Sequence, residues 1–405
     1  MDVIYRRCAG LDVHKETVVA CVRIVGEGPP TQHVQTFATT TSGLLALADW
    51  LSSYDVQTVA MEATGVYWKP VWHVLEGHFE LVLANASHVK NVPGRKTDVN
   101  DAMWLADLLA HGLIRASFVP PVPVQELRAL TRTRKQFVRE RAAHVQRIEK
   151  VLEDANLKLS VVLTDIMGKS GRAVLQAIID GHTDPAHLLR CVSTRVKASR
   201  AELLAALRGR ISAHHRFMLK LHLGHVDALD QAIATIEKEV GLGLKPFRDS
   251  AQHLSTMPGV SAVSASVIVA EIGVDMSRFK TPGHLVSWAG MCPRNDESAG
   301  KRRSTRHSAN WLKTTLVQCA WAAVRVKGSY LQAQFHRIRA RRGAKKAIIA
   351  VAASMLVAAW HMLRNRTDWN DLGAAHFDRA DRKKTVNRLL KRLRQLGFNA
   401  ELAPA

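Results

Sequence analysis

Cysteine is scarce in this 405-residue chain: Cys8, Cys21, Cys191, Cys292 and Cys319 are scattered, odd in number and without a CxxC pair. That argues against a disulfide framework or a cysteine zinc site and fits a reducing cytoplasm. The opening MDVIYRRCAGLDV lacks the long apolar core and small-residue cleavage site of a signal peptide. Long apolar runs are missing too, except Ala347 to Leu363, which is alanine-rich and just under spanning length. It reads as a buried helix, and no membrane partner is expected. There are no internal repeats or low-complexity tracts. Acidic residues are in deficit: 35 Asp and Glu face 57 Lys and Arg, leaving a net charge of +22 and a pI near 10.2. Such an excess repels itself unless a polyanion is the usual partner; nucleic acid is the commonest one, and an anionic membrane surface is the rival.

What is present is a folded composition, 47% hydrophobic and 23% charged, long enough for two or three domains. Val- and Thr-rich CAGLDVH, TVVACVRIV and HVQTFAT read as three successive strands. A helix capped by Ser42, a strand TVAMEA, a helix around Tyr67 to Leu75, a strand ELVLAN and a helix from Thr97 or Asp98 to about His111 follow. The expectation is an α/β domain over residues 1–122, a mixed sheet flanked by helices in ribonuclease-H-like order. GRKTDVNDA sets Asp98 and Asp101 three apart, neighbours on a helix surface. Such a pair is neutralised by a cation, a basic side chain or water, or is an ordinary acidic helix start favoured by the dipole. Asp12 on the first strand and Glu62 at the end of the fourth can meet them, because parallel strands bring their C-terminal ends together.

The proline-rich joint VPPVPV interrupts the pattern. Residues 123–245 then carry two long helical patterns, Gln125 to Leu157 and Thr194 to Val240, with apolar and basic positions interleaved. They suggest an antiparallel coiled-coil arm able to dimerise or grip a duplex; a plain helical bundle is the other reading. Residues 246–365 are expected to be mostly helical. In LSTMPGVSAVSASVIVAEIG the turn at Gly259 between two helical stretches resembles a helix-hairpin-helix, which holds phosphate through backbone N–H groups. Ser298 then sits among Lys301, Arg302 and Arg303, a cationic setting able to receive a developing oxyanion, although such a serine is also a common turn residue or phosphate contact. Residues 366–405 read as a basic tail.

GLDVHK (Gly10 to Lys15), MEATGVYW (Met61 to Trp68) and RKTDVNDA (Arg95 to Ala102), with MPGVSAVSASVIVAEIG and FKTPGHLVSWAGMCPRNDESAGK, resemble the DEDD-type insertion-sequence transposases, the bridge-RNA-guided recombinases of bacteria. The resemblance implies a RuvC-like first domain in which Asp12, Glu62, Asp98 and Asp101 bind divalent metal. It also implies a C-terminal transposase domain in which Ser298 links covalently to DNA. Where the family often has two serines and two glycines, this loop reads Glu297-Ser298-Ala299-Gly300-Lys301, leaving one serine. Mg²⁺ is the expected ion, since the ligands are hard oxygens. Also implied are donor and target DNA, a structured guide RNA, a homo-oligomer (dimer or tetramer) and a nucleoid-associated cytoplasmic location. A junction-resolvase-like nuclease without a covalent serine, and a non-catalytic nucleic-acid-binding protein, are the alternatives.

Overall fold

The structure is a computed structural model. It describes residues 2–63, 65–84, 89, 101–114, 116–292, 297–298, 301–302, 311–377 and 382–399. The chain divides into two compact units, Met1–Val119 and Pro120–Ala405.

In the first unit, alternating Leu and Val with small residues makes β1 (Arg7–Val13) and β2 (Thr17–Ile24) strands buried on both faces. β3 (Thr31–Ala38) is mostly exposed and forms one edge. These three pair antiparallel. α1 (Thr41–Ser53), β4 (Thr58–Glu62), α2 (Trp68–Leu75), β5 (Glu80–Ala84) and α3 (Asp101–Ala110) follow. The cap of α1 is Thr40, whose hydroxyl accepts from Gly43 N–H, rather than the expected Ser42. The five strands lie in the order β3-β2-β1-β4-β5, with β4 parallel to both β1 and β5. Period-two alternation sorts the side chains. Ala9, Leu11, Val13, Val59 and Met61 pack with Leu44, Leu47, Leu51, Val71 and Leu75 of α1 and α2. Cys8 and Ala60 pack with Leu109 and Ala110, and Cys21 with Ala102 and Ala106, of α3. A mixed sheet flanked by helices is therefore borne out.

The second unit opens with α4 (Val122–Asp154), 33 residues and about 50 Å long. It begins inside VPPVPV, because Pro123 occupies the first turn, where its missing N–H costs nothing. α5 (Leu159–Val162), α6 (Lys169–Ile179), α7 (Pro185–Arg190), α8 (Arg200–Ala206) and α9 (Ala213–Gly243) follow. The single long helix expected from Thr194 to Val240 is thus split. Arg210 N–H donates to Ala155 O at 2.9 Å, and Ser212 starts a new helix in a capping box with His215. α4 and α9 run antiparallel: Arg134 pairs with Glu237, Arg141 with Asp230 and Asp154 with His215. Ile148 and Leu152 share a core with Val174, Ile178, Leu219, Leu223 and Val226.

The rest is mostly helical: α10 (Arg248–Ser255), α11 (Ala262–Ile272), α12 (Pro282–Trp288), α13 (Trp311–Ala323), α14 (Tyr330–Arg342), α15 (Ala344–Asn365) and α16 (Arg382–Gln395), with a two-strand ladder of β6 (Glu297–Ser298) and β7 (Lys301–Arg302). α15 is long and apolar enough to cross a membrane. Here it buries Ala347, Val351, Ala352, Met355, Leu356, Ala359 and Trp360 among the surrounding helices. The expected buried helix is found. Part of the basic tail docks back on this unit, where Asp368 meets His253 at 2.7 Å and Phe377 stacks on Tyr330.

Candidate functional site

Asp12 projects from β1 on the side of Cys8 and Gly10, the side that α3 covers. On β4 the ladder runs Gly10↔Ala60 and Leu11↔Met61, so Asp12 and Glu62 are the next residues on neighbouring parallel strands, both on that side. α3 brings the third carboxylate in its first turn, as Asp101. The close approach depends on Gly10. A Cβ there would stand 2.2 Å from Ala102 O and 2.5 Å from Ala106 N, so only hydrogen at this position lets α3 lie against β1.

The electrostatics of Asp12 record the convergence. Burial pushes its carboxyl above the usual carboxylate range; His14 pulls it back, and the negative charge of Asp101 pushes it up again. His14 Nε2 lies 3.2 Å from Asp12 Oδ2, brought there by the tight turn in which His14 N–H donates to Thr17 O. Asp107, farther along α3, is treated differently: it pairs at 3.0 Å with the buried guanidinium of Arg23. One acid of α3 is neutralised by the fold, and the other faces a second acid.

Of the sequence-predicted residues, Asp12, Glu62 and Asp101 are therefore gathered at one end of β1 and β4. Asp98 and Arg303 lie outside the described residues. Among the described residues no three acidic, histidine or cysteine side chains converge as a complete metal-binding set. The donors present are nevertheless all hard oxygens, and the mutual repulsion of Asp12 and Asp101 suits a hard divalent cation. Ser298 belongs to the second unit, where its backbone pairs with Lys301, and Glu297 pairs with Arg302. Gly259 turns the chain between α10 and α11 at φ +80°, and a Cβ there would stand 2.3 Å from Cys319 O of α13. That packing alone demands glycine, whatever the turn binds.

Sequence reasoning overlooked His14 and assigned no role to Gly10, although both lie within GLDVHK. A glycine inside a strand pattern is a signal of close backbone approach. It also overlooked Trp311, around which Arg132, Lys135 and Arg139 of α4 gather within 6 Å.

Two family models match this chain. A DEDD transposase model of the IS110 type covers residues 9–157, and a model described as Transposase IS116/IS110/IS902 family covers residues 251–336. The first span contains Asp12, Glu62, Asp98 and Asp101; the second contains Gly259, Ser298 and the basic residues after it. The chain is similar to a probable family 20 transposase of Pseudomonas aeruginosa, 25% identical over 76% of this chain and 84% of that protein. It is also similar to the transposase for insertion sequence element IS1111A of Coxiella burnetii, 23% identical over 77% of this chain and 79% of that protein. With both halves matched in order, the chain belongs to the IS110 family of insertion-sequence transposases and is a DNA transposase.

Proposed function

We propose that this transposase cuts and rejoins DNA by metal-assisted phosphoryl transfer, with Ser298 as nucleophile and a structured RNA as guide. The observation that carries the reading is the meeting of Asp12 and Asp101 beside the end of β4, with Glu62 the neighbouring carboxylate. The strand order 3-2-1-4-5 supports a ribonuclease-H-like, RuvC-like first unit. The two helices around Gly259 support a helix-hairpin-helix in the second. Asp12, Glu62, Asp98 and Asp101 would hold Mg²⁺, which supplies Lewis-acid polarisation of the scissile phosphate when bound.

The chain's own residues do the rest. Ser298 Oγ forms a bond to phosphorus while the bond from phosphorus to the leaving strand oxygen breaks. The serine proton is lost to solvent, and the leaving oxygen takes one up. Lys301, Arg302 and Arg303 balance the negative charge that builds on the phosphoryl oxygens. Gly259 and its turn hold backbone phosphate without reading sequence. Base pairing by the guide RNA selects donor and target DNA, and the protein acts as a homo-oligomer.

The test is the denaturation-resistant protein–DNA adduct on a plasmid carrying the element's ends. Ser298→Ala should abolish it while leaving DNA binding intact, and Asp101→Asn should abolish nicking. Wild-type recombination by Ser298→Ala would instead mean a junction-resolvase-like nuclease in which water attacks.

A further inference from the structure

Three cations on one side of α4 converge on a single aromatic ring. Arg132, Lys135 and Arg139 are three and four residues apart, hence neighbours on the helix surface. Their charged groups stand 5.8, 5.3 and 5.2 Å from the centroid of Trp311, within reach of its π face. Trp311 is the first residue of α13, the helix that follows the serine segment in the chain. Lys135 Nζ also donates to Thr314 Oγ1 of that helix.

The cluster is short of negative charge. Glu271 is the carboxylate that serves it, and Arg132 engages both of its oxygens at 2.8 Å. Among the described residues Lys135 and Arg139 form no ion pair. Burial and the charge of Arg139 hold the Lys135 ammonium below the usual lysine range, with Glu271 only partly opposing them. Two cations beside them on α4 are matched, Arg134 by Glu237 and Arg141 by Asp230. Three like charges around one ring repel, and an anion seated among them offsets that cost.

A planar guanidinium beside an ammonium suits the oxygens of a phosphodiester. We propose that Lys135 and Arg139, held over Trp311, each seat a backbone phosphate of the DNA substrate and position the duplex for the serine segment that precedes α13. The inference rests on the reading of Ser298 given above. Lys135 and Arg139 are positioning residues and take no part in bond making.

The full-length protein is titrated into a fluorescein-labelled DNA duplex of arbitrary sequence over a range of salt concentrations, with anisotropy as readout. Lys135→Gln/Arg139→Gln should lower affinity about tenfold and shrink the salt slope by nearly two phosphate equivalents, about 0.9 each. Arg134→Gln, which removes an already paired cation, should change affinity less than about twofold. Arg139 is exposed, so Arg139→Gln alone tests the idea even if the double variant does not fold; it should remove about one equivalent of slope. Lys135→Arg/Arg139→Lys should keep the wild-type slope. The proposal is overturned if Arg139→Gln keeps the wild-type slope, or if it weakens a structured RNA probe but not the duplex. Ser298→Ala should bind as wild type in this assay, so failure of the serine reading shows in the adduct assay and failure of the clamp in anisotropy.

Discussion

Gly10 lies so close to Ala102 that a methyl group added at its Cα would stand 2.2 Å from the Ala102 carbonyl oxygen. The contact joins the strand that carries Asp12 to the helix that begins with Asp101. Gly10→Ala must therefore push α3 off the sheet, at a cost of about 1–3 kcal/mol for overpacking. The displacement separates the two carboxylates, so nicking should fall further than stability. Urea unfolding and plasmid nicking check this together. A Gly10→Ala protein with wild-type stability and activity would show that α3 can shift without consequence.

Asp12 gives a prediction with opposite signs for stability and activity. Its folded-state carboxyl is raised by burial and by Asp101, against the pull of His14. A raised folded pKa contributes stability that is fully present below the unfolded value, about 3.9, and is lost as pH rises through the folded one. At neutral pH the ionised group is thus a cost to the metal-free fold. Asp12→Asn should melt higher than wild type without Mg²⁺, yet be inactive. Added Mg²⁺ should raise the wild-type melting temperature by mass action and leave Asp12→Asn nearly unmoved. Differential scanning fluorimetry decides it; a variant that melts lower than wild type in the absence of metal contradicts the account.

How much of this was legible follows from the range of each signal. The period-two pattern of GLDVHK and TVVACVRIV is local, so the strands and the places of Asp12 and Glu62 on them could be read from the sequence, whereas the position of HVQTFAT at the sheet edge could not. The break between α8 and α9 was missed because helical spacing resumes at Ala213 in step with apolar residues upstream; only Gly209 and Ser212 marked it. The pairing of His14 with Asp12 depends on a turn two residues long. The gathering of Arg132, Lys135 and Arg139 on Trp311 depends on how α4 meets α13, and contacts that distant along the chain leave no periodic trace.

Glu271 is buried at 1% exposure and anchors the start of α4 to the end of α11. Arg132 grips both carboxylate oxygens, while Arg128 donates to the backbone oxygens of Ala270 and Glu271. Burial already lowers the Arg128 guanidinium to about 10, with Glu271 opposing the shift. Removing the carboxylate breaks the bidentate pair with Arg132 and takes away the charge that opposes the Arg128 shift, so Glu271→Ala should cost about 3 kcal/mol. Glu271→Gln, which keeps the hydrogen-bonding shape, should cost less. Denaturant midpoints measure both, and a loss under about 1 kcal/mol for the alanine variant would make the anchor incidental.

The long helical pair should respond to acid through its histidines. His144 Nδ1 on α4 lies 3.2 Å from His222 Nδ1 on α9, and the ring of His225 is 4.7 Å from that of His144. Burial holds His144 and His222 below the usual histidine range, helped by Arg147 and His225, with Glu140 opposing at His144. A depressed folded pKa means that the unfolded chain binds more protons. The contribution is therefore present above the unfolded value, about 6.5, and is lost as pH falls through the folded one. Acidification puts like charges on facing rings and loosens the α4–α9 contact. Between about pH 7 and pH 5, wild type should lose more thermal stability than His144→Gln/His222→Gln, in which the charge cannot form. Parallel melting curves for both proteins test this, because titrations elsewhere in the chain cancel in the difference. Equal losses would mean that the two imidazoles protonate without straining the helices.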